Sequence, residues 1–413
     1  MTAAAQGGAA SATSPNLPRL DLADPSWAGD PYPMLDALRE ASQLAESDRG
    51  LEVLDHATGL ALLRDRRYER DHMSIVDAVG ITSGPAREYK QRMLLSQKGE
   101  QHLRLRLPLA RYFAPARTEP LRAQIRTIVD MLLDEVDPTR PANLFTAVFN
   151  RVPAEVYCMV VAAPREDAPF VSRVSDQVLS IFERDPSMKD SIEAGYAELF
   201  PYMRERIAER RAVLGDDILS SLIRLQQAGE LTEDELVDEA STLVEASTDN
   251  TAHQMGLVVA ALLERPDMWR RLVGDRSLVP RAVDEGVRFE ARARVVTRIA
   301  TGATELLGHP VPAGGAVNVV VPAGHRDPAS APDPHAFDLD RDSPSQLLTF
   351  GGGAYACIGM HLAKIEAQEV LDALLTRFPT AELAAPVTRG NNAYVATTPE
   401  VPVVLSPRDI TRA

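Results

Sequence analysis

The stretch "LTEDELVDEASTLVEASTDNTAHQMGLVVAALLERP" constrains this chain more than any other. It runs from Leu231 and meets no proline before Pro266. It opens with Thr232 and, three residues on, Glu235, a capping box in which each side chain satisfies the other's backbone N–H. Read as one helix, it exceeds the roughly 25 residues of a long globular helix, so it has to cross the whole body. "RAQIRTIVDMLLDEV" (Arg122 to Val136) also places apolar residues at helical spacing. "ELFPYMRERIAERRAVLG" does so less strictly and ends at Gly215. Strand signals are few: "VVTRIA", "AVNVVV" and "VPVVLS" are β-branched runs bounded by Gly or Pro. A stretch rich in Pro, Asp and Ser, 323–345, reads as irregular. The expected fold is mainly α with a small β component. It is a single domain over 19–413, preceded by a disordered tail over 1–18.

Composition narrows the function. With 413 residues and 45% hydrophobic content the chain can bury a large core, and its net charge of −15 disfavours nucleic acid and anionic lipid as partners. Arginines gather locally, at Arg104, Arg106, Arg111, Arg117, Arg122 and Arg126, either as a solvated helix face or as a landing site for an acidic partner. Two cysteines, Cys158 and Cys357, exclude a disulfide framework and an all-cysteine zinc site. Cys158, in "VPAEVYCMVV", reads as core packing. The N-terminus lacks the basic and apolar regions of a signal peptide, and no apolar run is long enough to span a bilayer. The expected location is the cytoplasm.

"LLTFGGGAYACIGMHLAKIEAQEVL" concentrates chemistry. A phosphate loop would follow its glycines with Lys and Ser or Thr, and here Ala, Tyr, Ala, Cys follow. A zinc site would start from Cys357 and His361, but only these two ligands are local. A thiolate bound to a flat cofactor uses the pattern better. Glycines let backbone lie close to a macrocycle, and the start of a helix after Ile358 favours thiolate over thiol. The plainest alternative is a cysteine packed in a glycine-rich turn.

Phe350, Gly351, Gly353, Cys357 and Gly359 match F-G-x-G-x-[H/R]-x-C-x-G, and "HLAKIE" follows. In this the chain resembles the cytochrome P-450 superfamily, of the soluble bacterial class. The resemblance implies that fold, with the long distal helix crossing over haem b and Cys357 as the iron ligand. It implies that His102 and Arg106 of "GEQHLRLR" and Arg298 of "VVTRIA" hold the haem propionates, and that Glu285, Arg288 and Arg341 form a buried charge network. Tyr355 departs from the pattern: the family has His or Arg there, contacting a propionate. A tyrosine donates one hydrogen bond and brings no positive charge.

The family's distal pattern, [A/G]-G-x-[D/E]-T, falls on Ala246, Ser247, Thr248, Asp249 and Asn250. The acid is kept, the hydroxyl is replaced by Asn250, and Thr251 follows. An acid and a hydroxyl relay the protons that dioxygen cleavage consumes, whereas an amide orders water but relays protons poorly. Glu245, one turn before Asp249, sits where the family has an apolar residue facing substrate. It is either a counter-ion for a basic substrate or a partner of a polar neighbour. By resemblance the pocket also takes in Ala246, Val295, Val296, Thr397, Thr398 and the loop from His72 to Lys98. The implied activity is monooxygenation, by hydroxylation or epoxidation, of a small secondary-metabolite-type substrate, basic or carrier-tethered among the options. The alternatives are oxidative C–C or C–O coupling or ring closure, a peroxide-driven enzyme, and a non-catalytic haem sensor. Electrons are expected from a ferredoxin and its reductase, delivered to a monomer.

Overall fold

A computed structural model describes residues 17–341 and 346–406. It is a helical body with three small sheets among the described residues. The tail assigned to 1–18 lies outside them except at its end. Arg19 already bridges to Glu46, and Leu20 is buried beside Trp27 and Leu35 in a side cluster of the core. None of the described helices is long and apolar enough to cross a membrane.

The long interior run behaves as the sequence dictates at its start and not at its middle. The capping box forms, with Thr232 Oγ1 accepting from Glu235 N at 3.1 Å and Glu235 Oε2 accepting from Thr232 N at 2.9 Å. The run then divides into Glu233–Ser247 and Asp249–Leu263, joined at Thr248 (φ −96, ψ −76). The cause is local. Ser247 Oγ bonds the Leu243 carbonyl at 2.7 Å and Thr248 Oγ1 the Val244 carbonyl at 3.2 Å, each four residues back. Such bonds compete with the backbone ladder and bend helices. Ser175, on the helix Ala168–Leu179, pins the break by a hydrogen bond to the Thr248 hydroxyl. The distal helix therefore carries a discontinuity immediately before Asp249.

Arg122–Asp134 forms as expected, and "ELFPYMRERIAERRA" is the second half of Lys189–Ala212, which continues through Pro201. The largest sheet orders Leu44–Ser47, Gly50–Val53, Ala316–Val320, Val295–Ala300 and Tyr68–Glu69. "AVNVVV" loses its last valine to a short helix, Val321–His325, and "VPVVLS" contributes Pro402–Val404. Two short helices, Met73–Ala78 and Pro85–Arg92, occupy the segment expected to be a pocket loop. Cys158 is buried in the main core and held as a thiol, burial pushing its pKa up to about 12.

Candidate active site

Cys357 is delivered by a loop that only glycine can make. Gly351 and Gly353 adopt φ of +70 and +62. A Cβ on Gly353 would lie 3.0 Å from the Leu63 carbonyl oxygen and 3.1 Å from Arg64 Cα. The glycines thus let the loop turn and seat on the helix His56–Arg64, a role distinct from the expected approach to a macrocycle. Cys357 N donates to the Phe350 carbonyl at 2.8 Å, closing the loop, and Met360–Arg377 begins three residues on. Cys357 is exposed as a residue, while its thiol is set against the loop and helix start. Burial raises its pKa, against the lowering effect of the Gly359 N–H, Arg70, Arg106 and the Met360 N–H. The helix start does favour thiolate, as expected, but desolvation outweighs it. A metal bound at Cys357 would favour the thiolate.

His361 does not join Cys357. Its Nδ1 lies 2.7 Å from Thr118 Oγ1 and its Nε2 3.8 Å from Glu119, so the two-ligand zinc start goes no further.

The expected charge network is present and reaches this loop. Glu285 and Arg288 form a buried bidentate pair at 2.6 and 2.7 Å, with Arg341 Nε 3.3 Å from Glu285. Arg288 also donates to the carbonyls of His325, Pro334 and Ala336 at 3.0, 2.8 and 2.9 Å. His325 completes the link, its Nε2 accepting from Leu348 N at 2.9 Å at the head of the cysteine loop. Burial and Arg288 depress its pKa to about 3, so it stays neutral and can accept. The sequence reading had not identified His325; a histidine so far from the motif carries no local signal.

Basic side chains gather against Tyr355 and Ala356 of the cysteine loop. His102 is buried with its ring centroid 4.6 Å from that of Tyr355, Arg106 Nη2 donates to the Ala356 carbonyl at 2.5 Å, and the Arg298 guanidinium carbon lies 5.3 Å from the Tyr355 ring centroid. Arg298 is almost wholly buried, and its Nη2 has no hydrogen-bond partner. Burial, then Arg106 and Arg70, lower the His102 pKa to about 4. Among the described residues no carboxylate pairs with Arg70, His102, Arg106 or Arg298. Like charges crowded without a counter-ion call for an anion. An exposed cysteine beside an anion-seeking edge fits haem, a metal macrocycle carrying two propionates.

The distal residues are arranged differently. Ala246 is exposed although the helix before it is buried, so it borders open space. Asp249 accepts from Arg292 Nη2 at 2.7 Å and lies 3.3 Å from His253 Nε2. Burial would raise its pKa, but Arg292 and His253 prevail and hold it well below the carboxylate range. Asn250 is half-buried, and no described residue bonds its side-chain amide; Thr251 is buried beside it. Arg292 was not among the sequence candidates, since nothing near Asp249 in the chain points to it.

Glu245 corrects the counter-ion idea. Its carboxylate accepts from Lys90 Nζ at 2.7 Å and Tyr196 Oη at 2.5 Å, all three buried. The polar neighbour exists, so no substrate charge is required. Thr397 and Thr398 are likewise engaged within the chain. Thr397 Oγ1 bonds the Gly390 carbonyl at 2.8 Å, and buried Thr398 bonds His253 at 3.1 and 3.3 Å. Val295 and Val296 are neighbours on one strand and face opposite sides, so only Val296 shares the Arg298 face.

Comparison with known proteins agrees with this geometry. The cytochrome P-450 family model matches residues 82–403. Luteothin monooxygenase of Streptomyces thioluteus is 31% identical, covering 92% of this chain and 94% of its own. Nocardicin C N-oxygenase of Nocardia uniformis subsp. tsuyamanensis is 35% identical over 81% of this chain and 83% of its own. Among solved structures, the cytochrome P-450 enzyme CxnD for C–S bond formation in chuangxinmycin biosynthesis superposes with a TM-score of 0.83, at 27% identity over 92% of this chain and 95% of that one. By its cysteine loop, its fold and these relatives, the chain belongs to the cytochrome P-450 family and is a haem-dependent monooxygenase of small molecules.

Proposed function

We propose that the chain inserts one atom of dioxygen into a small secondary-metabolite-type substrate, by hydroxylation or epoxidation, at haem b ligated by Cys357. The observation that carries this reading is the exposed Cys357 near Arg70, Arg106 and Arg298, none of them paired with a described carboxylate, with the acid Asp249 retained at a break in the distal helix. When bound, haem supplies dioxygen activation, and cysteine ligation favours O–O cleavage. His102, Arg106 and Arg298 seat its propionates. Gly351 and Gly353 fix the loop that presents the sulfur, and Glu285, Arg288, Arg341 and His325 brace that loop. Ala246 leaves room on the distal helix. Asp249 takes up protons when it parts from Arg292, and Asn250 holds the water that passes them on.

Electrons come from a separate ferredoxin and its reductase, docking to a cytoplasmic monomer at the Cys357 side. The expected arginine patch is largely spent within the chain: Arg104 pairs with Glu235, Arg117 with Asp216, Arg122 with Glu119 and Glu369, and Arg126 with Asp130 and Asp372. Arg106 turns inward to Ala356. What the helix Gly99–Tyr112 offers outward is Leu103 and Leu107, 49% and 50% exposed, with Met360 of the helix after Cys357 at 39%. Docking therefore rests on apolar contact as well as on charge.

Asn250 favours a second reading, in which substrate radicals couple without oxygen insertion. C–S bond formation is the reaction named for the related enzyme CxnD. Carbon monoxide binding to the reduced protein tests the thiolate: a Soret band displaced far to the red is expected, and its absence defeats both readings. Isotopically labelled dioxygen then separates them, since label in the product supports insertion and unlabelled product supports coupling.

A further inference from the structure

Tyr355 leaves the haem edge one cation short of the pattern this chain otherwise follows, and the strand pair beside it supplies another. Tyr68–Glu69 runs antiparallel to Val295–Ala300, with Tyr68 opposite Ala300 and Glu69 opposite Ile299. Extending that register by one residue sets Arg70 across from Arg298, on the same face. Two arginines facing each other across strands repel unless an anion lies between them. The acids flanking Arg70 are already engaged. Glu69 pairs with Lys98 at 2.8 Å, and Asp71 accepts from the N–H groups of Met73 and Ser74 at 3.0 and 3.1 Å. No hydrogen bond or ion pair to a described residue restrains the Arg70 guanidinium. Burial depresses its pKa, and the charges acting on it most are Cys357, Arg106 and then Tyr355, which places it within Coulomb range of the sulfur.

We propose that Arg70 binds a haem propionate, shared with Arg298, and so replaces the cation that Tyr355 does not provide. The proposal rests on the haem-thiolate reading above. It extends that reading by placing the anion-binding edge on a strand pair rather than on the cysteine loop. Tyr355 then acts as an aromatic spacer between His102 and Arg298.

Haem transfer from the holoenzyme to excess apomyoglobin measures this without turnover. The wild-type protein must first show the thiolate spectrum; its failure to do so defeats the parent reading before any variant is made. Arg70→Gln should then lose haem about tenfold faster or more, as expected for one charge-assisted hydrogen bond. Arg70→Lys should keep most of the retention. In the Arg70→Gln background, Tyr355→His should restore it, because the cation returns at the position the family uses. A wild-type transfer rate in Arg70→Gln overturns the proposal. So does an Arg70→Gln/Tyr355→His protein that loses haem as fast as Arg70→Gln alone. If Arg70→Gln instead keeps its haem but weakens the spin-state shift caused by carboxylate ligands, Arg70 serves substrate and the proposal falls.

Discussion

The two sides of the site treat charge in opposite ways. On the distal side the buried carboxylates have cations from the chain itself: Glu245 has Lys90, and Asp249 has Arg292 and His253. Around Cys357, Arg70, Arg106 and Arg298 have no carboxylate among the described residues. Charges that are complete within the chain hold its parts together, as Lys90 ties the Pro85–Arg92 helix to the distal helix. Charges left unanswered show where a ligand brings the counter-charge. The difference separates scaffold from binding site without reference to any motif.

The sharpest way to break this contrast is to delete one cation from each side. Lys90→Met strands Glu245 in the interior, at a cost of about 3–5 kcal/mol in urea unfolding. Adding Glu245→Leu should recover most of that loss, because both desolvation penalties disappear together. Arg298→Met should leave the apoprotein as stable as before, or more so, since it relieves repulsion, while weakening haem retention. Equal destabilisation of the apoprotein by Lys90→Met and Arg298→Met would erase the distinction.

A third kind of site sharpens the contrast. Glu366, on the helix that follows Cys357, is buried with Oε2 unbonded and no cation opposing it. Burial alone pushes its pKa up to about 8, from an ordinary 4.5. Its folded pKa lies above its unfolded one, so its protonated form stabilises the fold below pH 4.5, and that contribution is lost as pH rises toward 8. Unfolding free energy should fall by about 4–5 kcal/mol across that window from this group. Glu366→Gln should remove that part of the slope, read by urea unfolding at stepped pH. An identical slope in the variant would show that Glu366 is ionised and has a partner. Asp249 contrasts with it: held well below the carboxylate range, it adds no slope near neutrality.

Legibility in the sequence followed the range of each interaction. The bond that closes the cysteine loop, from Cys357 N to the Phe350 carbonyl, the Glu285–Arg288 pair and the Thr232–Glu235 box each join residues within ten of one another, and their spacing reveals them; the seat of the loop on Leu63 and Arg64 has no such signal. The break at Thr248 was also written locally, in the run of Thr242, Ser247 and Thr248 hydroxyls, but helical periodicity masks it. Lys90, Arg292, His325 and Arg70 act on partners far along the chain, so no spacing announces them. The same limit misled the reading of the arginine cluster. Acids at Asp216, Glu235, Glu369 and Asp372, all remote from the cluster in sequence, pair with Arg117, Arg104, Arg122 and Arg126.

Asn250 yields the smallest expected effect and the most about chemistry. Asp249 is locked to Arg292 and ionised, so it cannot itself donate a proton while the pair is closed. Water ordered by the Asn250 amide is then the remaining path, and an amide passes protons poorly. Asn250→Thr adds a hydroxyl beside Asp249 without touching the Arg292 pair. Electrons recovered as oxygenated product should rise about twofold to tenfold relative to hydrogen peroxide released, measured as NADH consumed against product formed. That outcome would make Asn250 an impaired relay in an oxygen-inserting enzyme. A fall in product with unchanged NADH consumption would mean instead that the amide is suited to the native reaction. The contrast between the two sides would then extend to function: the Cys357 side kept for ligating haem, the distal side altered to keep oxygen out of the product.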